Sequence, residues 1–222
     1  MEKDSPWYRM NISNKEVDWL YKVEKRALDI AVSGMGLIVL SPVFLGIALA
    51  MKINEPKGSV FFNHCRYGLN GKKFKMYKFR SMCVDAERML MDNKKLFEEY
   101  KKNGYKFPDG KDPRVTKIGK FLRKTSLDEL PQLMNVLTGD MSLVGPRPII
   151  EKELFEYGDR KEKFLSVKPG ITGLWQTSGR SAVGYPERCD LELSYVKNAS
   201  FLLDMKIILC TFIAVIKKEG AY

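Results

Sequence analysis

The sequence predicts an α+β, mainly helical fold: a broken apolar helix, one small β-hairpin and a succession of short helices. Three observations predict it. The run Ile30 to Met51, IAVSGMGLIVLSPVFLGIALAM, carries no charge and holds Ser41-Pro42 at its middle. Asn70-Gly71 lies between two segments of strand-like composition and is a strong short-range hairpin signal. Most of the remaining chain alternates helix formers with glycine and proline stops.

The apolar run comes first. A stretch of this length can cross a hydrocarbon core about 30 Å thick as a helix. Pro42 removes one helical N–H and clashes with the preceding turn, so a bend is expected there. Lys22, Lys25 and Arg26 precede the run, and Lys52, Lys57, Arg66, Lys72 and Lys73 follow it. With basic residues on both flanks, the positive-inside rule does not choose an orientation. A single kinked crossing and a helix that breaks at Ser41-Pro42 and returns to the same side fit equally, and a buried helix of a soluble protein fits less well. No small-residue cleavage site follows the run, so it is expected to remain as an anchor. Ahead of it, Asn14 is placed to cap an amphipathic helix carrying Val17, Leu20, Tyr21 and Val23.

Beyond the turn Asn54 to Gly58, the strands are expected over Ser59 to Tyr67 and Lys72 to Met82. Alternation puts Phe74, Met76, Lys78 and Arg80 on one face. A helix is expected over Val84 to Lys102, ending near Asn103-Gly104, then an exposed loop over Tyr105 to Pro113 and a short basic helix over Val115 to Lys124. Proline is tolerated in a helix's first turn, so Pro131 predicts a helix starting near Asp128 or Glu129 and stopping at Gly139. Two glycine–proline loops follow, at 145–148 and 169–173. Phe201 to Ile216 is apolar but holds Asp204 and Lys206, which predicts an interfacial or core helix rather than a second span.

The 222 residues carry a formal charge of +11, which favours an anionic partner: nucleic acid, a lipid surface or a phosphorylated substrate. The apolar run tilts the choice to the last two. Cys65, Cys83, Cys189 and Cys210 show no C-x-x-C spacing, and His64 is the single histidine. These counts argue against a zinc site, and against Ser-His-Asp or Cys-His chemistry unless His64 is the base. The absence of a disulfide pattern suits the cytosolic side of a membrane.

Four features remain as candidates for chemistry: Lys78-Phe79-Arg80, Asp128-Glu129, Gly145-Pro146-Arg147-Pro148, and the stretch from Gln176 to Arg180. Lys78 and Arg80 also fit a solvated strand face. Ser126-x-x-Glu129 matches a capping box, so the acidic pair also fits a helix cap. Arg147, held between two prolines, suits an arginine that meets an anion at a fixed place. Adjacent carboxylates diverge by about 100° on a helix, so they can divide two tasks. One can hold a hard cation such as Mg2+ while the other attacks phosphorus, with the helix N-terminus and Lys78, Arg80, Arg123 and Arg147 offsetting phosphate charge.

Ser41-Pro42 in its apolar helix, YKFRSM at 77–82, RKTSLDELPQLMNVLTGDMSLVGPRP at 123–148 and PGITGLWQTSGR at 169–180 together resemble the bacterial sugar transferases. These are monotopic phosphoglycosyl transferases that begin glycoconjugate and polysaccharide assembly. The resemblance runs from about Lys25 to Tyr222 and is to the small, core-only members. It implies a ping-pong transfer of sugar 1-phosphate from a UDP-sugar to undecaprenyl phosphate, with release of UMP. Asp128 matches the nucleophile and Glu129 the Mg2+ ligand. Lys78, Arg80, Arg123 and Arg147 match phosphate contacts, and Gln176 and Arg180 fall where nucleotide or sugar contacts lie.

Ser41-Pro42 matches the break of a re-entrant membrane helix, which places the enzyme on the cytoplasmic face of a bacterial inner membrane. The implied organisation is an N-terminal segment at 1–24, the helix-break-helix at 25–53 and a membrane-associated catalytic domain at 54–222. The implied partners are the donor, the polyprenol acceptor, membrane lipid and later glycosyltransferases of the same pathway, but no nucleic acid, since the basic residues gather near the acidic pair and not among stacking aromatics. Two alternatives stand beside this: a membrane glycosyltransferase that releases UDP, which lacks the usual Asp-x-Asp stretch, and a basic membrane-anchored scaffold without enzymatic activity.

Overall fold

Pro42 divides the apolar segment into two helices, α1 (Trp19–Val39) and α2 (Ser41–Asn54), bent by 55°. The computed structural model describes residues 19–103, 107–108, 110–179 and 183–216; Asn14 and Val17 lie outside these. No single described helix is long and apolar enough to cross a membrane, while the bent pair meets that test together. Pro42 has no N–H to give the carbonyl of Ile38, four residues back. The Ser41 hydroxyl donates to that same carbonyl at 2.7 Å. Ser41 therefore repairs the gap that Pro42 opens.

Both ends of the bent pair dock on one body, and its vertex stays bare. From α1, Arg26 donates to the carbonyls of Val136 and Leu137 at 2.7 and 2.8 Å. Asp29 accepts from the Leu143 amide at 2.8 Å and the Ser142 hydroxyl at 3.0 Å. From α2, Met51 packs with Phe79 and Leu122. Near the bend, Ile38 and Leu45 are 76% and 72% exposed.

The hairpin forms as expected, over β1 (Phe61–Tyr67) and β2 (Lys73–Phe79), paired antiparallel with Phe61 opposite Phe79. Asn70 and Gly71 take φ of 54° and 76°, the left-handed geometry that an Asn-Gly turn supplies. Arg80 falls just past the strand end. The helix expected over Val84 to Lys102 is two helices, α3 (Ala86–Asp92) and α4 (Lys94–Lys102). Asn93 divides them: its side chain accepts from the Leu96 amide at 3.1 Å and so caps the second helix.

The basic helix α5 (Lys117–Lys124) is capped by Thr116. The next helix corrects the expectation. Leu127–Glu129 is a single 3-10 turn, and α6 (Gln132–Thr138) begins only after Pro131. Ser126 sits in the left-handed region at φ 56° and makes no side-chain cap, so the capping box does not form. Asp128 and Glu129 therefore do not open a regular helix, and the helix-dipole contribution to phosphate binding falls away with it.

The two glycine–proline loops are one unit. The first follows β3 (Ser142–Val144) and the second contains β4 (Gly170–Thr172), and these two strands pair in parallel. Gly145 N–H reaches Thr172 O at 2.9 Å and Gly170 N–H reaches Pro146 O at 2.8 Å. A Cβ on Gly170 would lie 2.1 Å from the Gly145 nitrogen, an approach only glycine permits. The short helices α7 (Glu151–Leu154), α8 (Lys161–Phe164) and α9 (Leu174–Thr177) lead to α10 (Glu187–Asn198) and α11 (Phe201–Ile216).

The helix α11 buries Leu203, Asp204 and Ile207 and leaves Leu202, Leu209 and Phe212 bare. It is apolar on both faces. Asp204 is 1% exposed, and it receives Lys25 Nζ at 2.6 Å and the Tyr21 and Tyr195 hydroxyls at 2.9 and 2.8 Å. The fold is thus α+β and mainly helical, with α1 wired by polar contacts into the parallel strands, α6 and α11.

Candidate active site

The left-handed turn at Ser126 aims the acidic pair back toward β2. Lys78, projecting from that strand, sits 2.6 Å from Glu129 Oε1 and 3.9 Å from Asp128 Oδ2. Two carboxylates and one ammonium therefore share a site. The Asp128 side chain is 13% exposed. Burial raises its pKa above the usual carboxylate range; Lys78 opposes this, Glu129 adds to it by repulsion, and Arg123 opposes it.

Arg147 and Gln176 meet at one cleft because the two loops pair. The cleft is lined by Met76, Glu129, Gln132, Arg147, Pro148 and Gln176 among others. Three predicted site residues, Glu129, Arg147 and Gln176, thus face a common space, with Asp128 and Lys78 beside it. Arg123 donates to the Ser81 hydroxyl at 2.9 Å, where α5 passes so near that a Cβ on Gly119 would overlap the Ser81 backbone. Arg80 is spoken for: it pairs with Glu55, donates to Ser59 O at 2.6 Å and to Met82 O at 3.1 Å. These contacts tie the end of α2 to the end of β2. Arg180 lies outside the described residues.

A family model described as bacterial sugar transferase matches residues 20–218. The chain belongs to the bacterial sugar transferase family. It is 44% identical to the exopolysaccharide production protein ExoY of Sinorhizobium fredii, over 90% of this chain and 88% of that protein. It is 45% identical to an undecaprenyl-phosphate galactose phosphotransferase of Salmonella typhimurium, over 89% of this chain and 41% of the relative. It is 41% identical to a UDP-glucose:undecaprenyl-phosphate glucose-1-phosphate transferase of Escherichia coli, again over 89% and 41%. The chain spans most of the first relative and less than half of the other two.

Two features of this sugar transferase escaped sequence reasoning. Asn135 is wholly buried on α6. Its Oδ1 accepts from the Tyr77 amide at 3.0 Å and its Nδ2 donates to Lys75 O at 2.8 Å. One side chain thereby imitates a third strand on the open edge of β2 and holds Lys78 in line with the acidic turn. The signal was a lone amide inside Leu133-Met134-Asn135-Val136-Leu137. The second is an arginine–carboxylate cluster of Arg66, Glu153 and the i,i+4 pair Arg188–Glu192, which joins three distant stretches of the chain.

The donor set of the bacterial sugar transferase fits a Mg2+ ion of the phosphate-bound kind. No group of three or more His, Cys, Asp or Glu side chains converges among the described residues, so no all-protein cage forms. Mg2+ commonly takes one or two carboxylates and completes its shell with substrate phosphates and water. Glu129 lines the cleft next to a second carboxylate and would be the residue to hold such an ion; its Oε1 is paired with Lys78 at 2.6 Å.

Proposed function

We propose that this chain transfers sugar 1-phosphate from a UDP-sugar to undecaprenyl phosphate and releases UMP. The observation that carries this is a shielded carboxylate, Asp128, beside a carboxylate–ammonium pair at a cleft that also holds Arg147. The relatives' names supply the donor and acceptor classes. In the first half-reaction an Asp128 oxygen attacks the β-phosphorus, a P–O bond to the α-phosphate breaks, and UMP leaves with that electron pair. The sugar phosphate is then held as a mixed anhydride on the carboxylate. In the second, a phosphate oxygen of the polyprenol attacks the same phosphorus and Asp128 departs as a carboxylate.

Such a transfer relies mainly on positioning and charge neutralisation. Shielding from water leaves Asp128 poorly solvated, and Lys78 and Arg123 favour its charged form. Arg147, stiffened by its flanking prolines, would receive phosphate oxygens. Glu129 would hold Mg2+, which when bound supplies positive charge to the phosphates. Histidine is not required by a carboxylate nucleophile.

The same proposal sets the chain on the cytoplasmic face of a bacterial inner membrane, with α1 and α2 entering and returning. It is supported by the docking of both polar ends on one body while the apolar vertex stays bare. The test is turnover of UDP-sugars with undecaprenyl phosphate and Mg2+, reading the nucleotide released. UMP is expected, with Asp128→Asn inactive yet membrane-bound. Release of UDP would overturn the reaction, and activity in Asp128→Asn would overturn the nucleophile.

A further inference from the structure

Three guanidinium groups gather at the Arg147 edge of the cleft: Arg66 from the end of β1, Arg147 from its proline-flanked loop and Arg188 from the first turn of α10. Arg188 and Arg147 lie 4.4 and 5.7 Å from the Trp175 ring. Facing them among the described residues are the carboxylates of Glu153 and Glu192. Glu153 receives Arg66 and Arg188 at 3.3 Å each, and Glu192 receives Arg188 Nε at 3.2 Å. Charge-assisted bonds of this kind are usually about 2.7–2.9 Å, as in the Arg114–Asp112 pair at 2.9 and 2.8 Å. One carboxylate is stretched between two arginines.

Donors are also left over. Arg188 is only 6% exposed, yet its Nη2 is buried without a hydrogen-bond partner, and so is Arg66 Nε. The Ser178 hydroxyl, one turn beyond Trp175, is buried and unpartnered as well. A network serving structure alone would satisfy such groups, since a buried donor left unmet loses its hydration without recovering it in a hydrogen bond. Burial pushes the Arg66 pKa down, Glu153 opposes this, and Arg147 and Arg188 push it further down by repulsion. An added anion would relieve all of this at once.

We propose that Arg66, Arg147 and Arg188 form an anion subsite for the nucleoside-phosphate half of the donor, the part that departs as UMP. This rests on the transfer reaction proposed above. Arg147 lines the same cleft as Glu129, so the subsite adjoins the point where the P–O bond breaks. The departing oxygen takes up the electron pair of that bond, and guanidinium donors meet the added charge there.

The test uses the full chain in detergent and compares equilibrium binding of UMP with that of uridine, which lacks the phosphate. Wild type is set against Arg66→Gln and Arg188→Lys, the second of which keeps a cation beside Glu192 in case charge loss unfolds the protein. UMP should bind at least tenfold more weakly to each variant, with uridine binding unchanged. Equal weakening of both ligands, unchanged UMP affinity, or no UMP binding by wild type would each overturn the subsite. If wild type releases UMP on turnover while UMP binding ignores both substitutions, only the subsite falls. If wild type releases UDP, the transfer reading falls, and the contrast between UMP and uridine still decides the subsite.

Discussion

Replacing Lys78 with methionine removes the cation nearest Asp128 while keeping the length of the side chain. At 3.9 Å and an effective dielectric near 20, unit charges interact by about 4 kcal/mol. Both side chains reach water, at 23% and 13% exposure, which cuts the net effect to about 1–2 kcal/mol. A loss of that size is roughly a 5- to 30-fold drop in kcat/KM for UMP release at neutral pH. The pH profile carries the sharper test. Asp128 must be a carboxylate to attack, and its pKa is already raised by burial against the pull of Lys78. Activity is therefore present above that pKa and lost as the pH falls through it. Removing Lys78 raises the pKa further, so the acid limb of kcat/KM moves to higher pH. Lys78→Arg restores the limb in large part. An acid limb that stays in place in Lys78→Met, or moves to lower pH, refutes the electrostatic link between the two residues.

Ser41→Ala leaves the Ile38 carbonyl without its 2.7 Å donor; with the vertex in lipid, as proposed above, the loss is about 1–3 kcal/mol, read by thermal unfolding in nanodiscs, while Ser41→Thr stays near wild type. Asn135→Ala strips the open edge of β2 of both its side-chain bonds and should destabilise the fold by about 2–4 kcal/mol, with hydrogen exchange rising at the Tyr77 amide. Asp204→Asn breaks the buried pair with Lys25 and should cost about 3–5 kcal/mol, measured by chemical unfolding in detergent; an effect under about 1 kcal/mol would mean that water reaches this network.

Much of the fold was legible where local chemistry decides it. Asn70-Gly71 needs two left-handed residues, and Ser41-Pro42 cannot continue a helix unaided. The division at Asn93 was misjudged because asparagine is tolerated within a helix but caps better, and composition over Val84 to Lys102 does not separate the two. The turn at Asp128-Glu129 differs from the expected helix start because Ser126 adopts a left-handed conformation, which a capping-box pattern does not report. Pairing of the 145–148 and 169–173 loops joins distant segments, so each glycine read singly as a turn. Strand alternation put Arg80 on the face of Lys78, and the family resemblance matched it to a phosphate contact. Its engagement by Glu55 depends on where α2 ends, which periodicity does not report.

The cap that Arg26 places on α6 reaches beyond local stability. The last carbonyls of the helix that follows the acidic turn are satisfied by a guanidinium from the helix leading into the apolar segment. Trimming the chain before residue 54 to obtain a water-soluble catalytic fragment would therefore remove part of the catalytic scaffold itself. Arg26, Asp29 and Lys25 would leave together, exposing the end of α6, the start of β3 and the buried Asp204 in one cut. Such a fragment is expected to be a loosened protein rather than a detached enzyme. Solubility is better sought by covering or recolouring the bare vertex around Ile38 and Leu45, where no polar contact of the catalytic body is spent.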